Sequence, residues 1–178
     1  FTSFSLPPYN FLIINFITFP CLLFFLIYNY KKSKWISFKI GWLFGFGYFI
    51  ANLYWITNAL TFEEIFKPLI PLALIFIPLF LGIFYGFGTF ICSFFNLEKN
   101  FSTVLIFAII FSVIEYIRGF ILGGFPWNMI AYSWVNYLNS IQVLSLIGTY
   151  SFNLISITIF SLPFLLFSKK EIKLKIFL

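Results

Sequence analysis

The sequence predicts an all-α fold: a polytopic bundle of about five transmembrane helices, with a re-entrant or interfacial segment between the fourth and fifth. Three observations lead there. Of 178 residues, 62% are hydrophobic and only 9% charged, against roughly 25% charged in a soluble domain. The mean hydropathy is +1.03. The apolar residues fall in runs near the roughly 20 residues that a crossing helix needs. So few charges cannot build a water-soluble surface, and most of the outer face must meet lipid. Residues 1–178 read as a single transmembrane domain. Its start at Phe1 and its end on Phe177-Leu178 read as those of a piece incomplete at both ends.

The first span is expected over 11–30, interrupted only by Asn15, Thr18 and Asn29, with a possible kink site at Pro20. A basic loop, 31–39, follows with Lys31, Lys32, Lys34 and Lys39. The second span is expected over 40–60. Its Gly41 and Gly45 have the spacing that lets another helix approach closely. Trp42, Tyr54 and Trp55 sit toward its ends, where aromatic belts form. A loop with Glu63, Glu64 and Lys67 leads to the third span, 69–95, with Pro71 and Pro78 early and Gly82 and Gly86 later. After a short polar turn, Ser102 is expected to cap the fourth span, 103–119. The stretch 119–139 is too polar for a clean span and too apolar for an aqueous loop. The fifth span is expected over 141–167, ahead of a tail bearing Lys169, Lys170, Lys173 and Lys175.

The charges orient these spans. Lysines concentrate in loop 31–39 and the tail 168–178, which five crossings place on the same side. That side is expected to be cytoplasmic, and segment 119–139 then faces outward. The net charge of +6 is accounted for in this way and does not indicate a nucleic-acid partner. The 30 Phe read as compositional bias. Histidine is absent, which rules out a His-based zinc site or a Ser-His-Asp triad within these residues. Cys21 and Cys92 lie inside apolar runs, where Cys acts as a small hydrophobe. No metal site and no cofactor is expected.

The functional candidates cluster at the end of the fourth span. Glu115 and Arg118 are three residues apart and share a helical face. Charges at that depth are costly, so they pair locally or serve a ligand. Arg118, with a planar fork of donors, suits an anionic lipid head group. Gly123 and Gly124 permit unusual backbone conformations, and Pro126 fixes its own. Trp127 is suited to an interface, and Asn128 can satisfy exposed backbone groups. Gly124, Phe125, Pro126, Trp127 and Asn128 thus read as a tight turn near the membrane surface.

The run Glu115-Tyr116-Ile117-Arg118-Gly119, followed by Gly124-Phe125-Pro126-Trp127-Asn128, resembles the membrane domain of apolipoprotein N-acyltransferases. Leu6-Pro7-Pro8-Tyr9 is similar to the loop between that family's first two helices. Residues 41–56 are similar to its third helix, and Gln142, Gly148 and Tyr150 to the start of a later one. The resemblance implies a bacterial cytoplasmic-membrane enzyme of lipoprotein maturation. It would take an acyl chain from a membrane phospholipid and pass it to the amine of a lipoprotein diacylglyceryl-cysteine. In that family the Glu-Lys-Cys triad belongs to a nitrilase-like domain that residues 1–178 lack. Neither cysteine here matches the nucleophile, so no catalytic residue is assigned and these residues alone are expected to be inactive. Two other classes remain open. One is a small transporter subunit with Pro- and Gly-broken helices. The other is a non-catalytic scaffold packing through glycine faces.

Overall fold

The computed structural model describes residues 1–121, 124 and 126–166. Gly123, Phe125 and the lysine-rich tail 168–178 lie outside the described residues. Among the described residues every regular element is helical, and together they form an all-α transmembrane bundle. Four helices are long and apolar enough to cross a membrane, and a bent pair makes a fifth.

Helix α1, Asn15–Asn29, continues a 3-10 turn and takes Pro20 into its buried face. Helix α2, Lys34–Asn52, starts six residues before the expected 40. The cause is local: the Ser33 hydroxyl accepts from the Trp35 amide at 3.2 Å and caps the first turn. Lys34 and Lys39 are therefore helical and not loop residues. The α2 axis breaks at Leu53 instead of running to 60, and a 3-10 stretch, Tyr54–Thr61, turns away by 50°. Polar side chains explain the break. Asn52 donates to the Tyr48 carbonyl at 3.0 Å, and Thr57 and Thr61 donate back to Tyr54 and Asn58. Such bonds compete with the α-helical ladder.

Helix α3, Ile70–Cys92, runs against α2 along the tightest seam of the bundle. A Cβ on Gly41 would collide with Thr89 Oγ1 and the Tyr85 carbonyl. One on Gly82 would lie 2.9 Å from the Phe46 amide nitrogen. Thr89 uses that proximity to donate to the Ser37 carbonyl at 2.7 Å. Helix α4, Phe101–Phe120, is capped by Asn100, whose Oδ1 accepts from Thr103 N at 2.8 Å. Ser102, the expected cap, is already inside the helix.

Beyond α4 the chain turns at Gly124, where φ is +80°. It folds back toward the bundle through a buried 3-10 turn, Ile130–Trp134. Two short helices follow, α5 (Leu138–Ile141) and α6 (Leu144–Ile147). Gly148, with φ +78°, then stops the chain from continuing smoothly. The last long helix, α7, covers Thr149–Ser161, so the crossing begins at 149 and not at 141. The core is aromatic. Phe19, Phe49, Tyr85, Phe107, Phe111 and Phe160 are buried at its centre, with the Tyr85 and Phe111 rings edge-on at 5.3 Å. Ile17, Phe25, Phe76 and Val113 are exposed on the outside, as a lipid-facing surface requires.

Candidate functional site

Helix α4 sends its two charges to different tasks. Glu115 is fully buried. It accepts from the Tyr85 hydroxyl of α3 at 2.5 Å and from Asn153 Nδ2 of α7 at 2.5 Å. The backbone of Ile130 lies beside the same carboxylate. A buried carboxylate is tolerable only with such satisfaction. The Asn153 Oδ1 in turn accepts from the Ala131 amide at 2.9 Å. The Ala131 amide in the 3-10 turn is thus held by Asn153, which is itself bonded to Glu115.

One helical turn further, Arg118 is 1% exposed. Its Nη1 donates to the Trp127 carbonyl at 2.9 Å, and its guanidinium lies 5.2 Å from the centre of the Phe49 ring. From α2, the Tyr48 hydroxyl donates to the neighbouring Asn128 carbonyl at 2.8 Å. Asn128 adopts φ +56°, a conformation that Asn accepts more readily than most residues. At Gly124 a Cβ would meet the Gly119 carbonyl oxygen 2.5 Å away.

These contacts shape a cleft of about 610 Å³ at this end of the bundle. Pro126, Trp127 and Asn128 form one wall, and Pro8, Tyr9 and Trp55 face them. The Trp55 and Trp127 rings stand 5.5 Å apart at 49°. Tyr132 adds a hydroxyl at the edge. Burial pushes this phenol above its ordinary value. Arg118 and Gly124 line a separate cleft of about 400 Å³ against α3, with Phe76, Phe80 and Phe84. Both clefts are walled mainly by apolar and aromatic side chains, as sites for apolar ligands are.

Of the residues singled out from sequence, Pro126, Trp127 and Asn128 meet in the larger cleft, and Arg118 and Gly124 in the smaller. Glu115 reaches neither, and Phe125 lies outside the described residues. Tyr48, Tyr85, Asn153 and Trp55 were not foreseen. Asn153 had one available signal, a polar side chain in the middle of an apolar helix. Cys21 and Cys92 are free thiols, the first exposed and the second buried. Among the described residues no three His, Cys, Asp or Glu side chains converge as a metal site would need.

A bundle of long apolar helices with this exposed apolar exterior is a multi-pass membrane protein. Residues 1–162 match the family description "Apolipoprotein N-acyltransferase N-terminal domain", and the chain belongs to that family. Among its relatives is an apolipoprotein N-acyltransferase of Brucella melitensis, 32% identical over all of this chain and 36% of the relative. Those of Rhizobium etli and Agrobacterium fabrum are each 34% identical. They align with 92% and 93% of this chain, and with 32% and 33% of their own lengths. The chain therefore spans about a third of these relatives.

Proposed function

We propose that this chain is the lipid-holding membrane part of an enzyme that transfers an acyl chain from a phospholipid to the N-terminal cysteine amine of bacterial lipoproteins. The observation that carries this reading is the larger cleft. It is an apolar, aromatic-walled space at a helix-bundle end, with Tyr9, Asn52, Tyr54, Asn128 and Tyr132 among its polar lining groups. That chemistry suits an acyl or diacylglyceryl chain with its polar end near the membrane surface. Arg118, beside the smaller cleft, is the group suited to an anionic head group. The phospholipid is the donor, and the lipoprotein's diacylglyceryl-cysteine is the acceptor. The acyl-transfer chemistry itself falls to a nitrilase-like domain beyond these residues.

The protein resides in the bacterial cytoplasmic membrane in this reading. The Lys31–Lys39 side faces the cytoplasm and segment 119–139 faces outward. Two links support grouping the short turns on one side. The Tyr30 hydroxyl donates to Asn96 Oδ1 at 3.1 Å, and Lys34 Nζ donates to the Ser93 carbonyl.

The test is photolabelling in reconstituted bilayers with a phospholipid carrying a photoreactive group in its acyl chain. Label is expected on peptides 51–55 and 126–135. Label spread evenly over the exposed faces of α1 and α3, and absent from those peptides, overturns the reading.

A further inference from the structure

We propose that Tyr48 and Asn153 are positioning residues that hold the backbone of segment 127–131 as a fixed wall of the larger cleft, and so set which acyl chains it accepts; this rests on the reading of that cleft as a lipid site. Three backbone groups of this segment are gripped by buried side chains from three helices. The Trp127 carbonyl is taken by Arg118 of α4, and the Asn128 carbonyl by Tyr48 of α2. The Ala131 amide is taken by Asn153 of α7, which is itself bonded to Glu115 of α4. Met129, between them, is 2% exposed.

A segment without a helical or sheet ladder must satisfy its backbone groups some other way. Here the partners come from 22 residues away for Asn153 and from 80 for Tyr48. The segment's shape is therefore set by the bundle and not by its own sequence. Its cleft-lining members are Trp127 and Asn128, next to Pro126. Any loosening of the grip shifts Trp127 relative to Trp55, whose ring is 5.5 Å away across the cleft. Asn153 is the keystone, because it donates to Glu115 and accepts from Ala131 with one amide. Tyr48 adds a single hydroxyl bond, while its ring packs on Phe49 at 5.2 Å and Tyr85 at 5.9 Å. Tyr48→Phe therefore removes the grip and leaves the packing.

The experiment uses the full chain in phospholipid nanodiscs, with Tyr48→Phe and Asn153→Leu beside the unsubstituted protein. Hydrogen exchange of the 127–134 amides is expected to rise about fivefold in Tyr48→Phe and about tenfold or more in Asn153→Leu. Exchange in α1 should not change. Where Asn153→Leu does not fold, Tyr48→Phe decides the matter. Labelling by palmitoyl and decanoyl photoprobes supplies the second readout. Their ratio on peptide 126–135 should shift by about threefold in Tyr48→Phe. A general loss of stability would lower both labels in proportion.

Unchanged exchange at 127–134 overturns the proposal. Faster exchange with an unshifted probe ratio overturns it as a determinant of chain selection, while the lipid-site reading stands. If the unsubstituted protein takes no label at these peptides, the lipid-site reading fails. The exchange rates then still decide whether Tyr48 and Asn153 hold the wall.

Discussion

The two ends of the bundle are built on different principles. At one end the chain passes from α1 to α2 and from α3 to α4 through short turns. Each is stopped and started by its own residues: Ser33 caps α2, and Asn100 caps α4. At the other end some 28 residues separate α4 from α7, and segment 127–131 is held by Tyr48, Arg118 and Asn153 from three helices. The first kind of end is capped by its own residues, and the Tyr30–Asn96 and Lys34–Ser93 bonds link its two turns. The second spends buried polar groups to keep an irregular segment in place beside open apolar space. Membrane proteins accept non-helical backbone at depth only where protein or a cavity satisfies it. This held, irregular wall is what the lipid-holding role proposed for the second end rests on.

The largest expected effect comes from removing the shared anchor of the second end. Glu115→Leu leaves the Tyr85 hydroxyl and the Asn153 amide without their acceptor. Unsatisfied buried donors cost about 1–3 kcal/mol each, so the loss should be about 2 kcal/mol or more. Glu115→Gln keeps one acceptor oxygen and should lose less. Unfolding in detergent, followed by far-UV circular dichroism, measures both. A Glu115→Leu protein as stable as its parent would remove the anchor from the account.

The next test breaks the bundle away from either end. Gly41→Leu drives a side chain into Thr89 and the Tyr85 carbonyl, and overpacking of this sort costs about 1–3 kcal/mol. The same unfolding assay should show it. Gly41 lies about two turns along α2 from Tyr48 and touches none of the groups bonded to segment 127–131, so exchange at 127–134 should rise less than in Asn153→Leu.

Arg118 separates holding from binding. Its guanidinium donates to Trp127 O and also lines the smaller cleft. In the full-length protein, Arg118→Ala should lower acyl transfer by about tenfold, the value of a charge-assisted hydrogen bond. Arg118→Lys should retain more activity, since it keeps the charge but loses the planar fork. Mass spectrometry of the lipoprotein N-terminus measures the product. Equal activity in all three proteins would refute the role given to Arg118.

The difference between the ends also governs what the sequence could reveal. The spans are legible because apolar runs carry their own length. The early start of α2 was legible in principle, since Ser33 stands just before an apolar-periodic stretch. The cap of α4 fell on Asn100 and not Ser102 because both are good capping residues three positions from a backbone amide, and only the geometry at Thr103 decides. The break at Leu53 was hidden by an apolar run that continues through Trp55 and Ile56. At the second end the charged residues were visible, but not their partners. Tyr85 lies 30 residues before Glu115 and Asn153 lies 38 after it. No local pattern records such a pairing. Trp127 was legible as an interfacial aromatic, whereas its facing partner Trp55 looked like an ordinary belt residue.

The smallest effect belongs to the locally capped end, and it sharpens the contrast most. Asn100→Ala removes one side-chain acceptor from the first turn of α4, a change worth about 1 kcal/mol. The α4 amides near Thr103 should exchange faster, because the cap satisfies Thr103 N directly. Those at 127–134 should not respond, since every group holding them lies at the opposite end of α4 or on α2 and α7. Photolabelling of peptide 126–135 should be unchanged for the same reason. If Asn100→Ala instead loosened 127–134 as much as Tyr48→Phe does, the two ends would be one cooperative unit. The irregular segment would then depend on the overall stability of the bundle, and the distinction between locally capped turns and a cleft wall held from afar would fail.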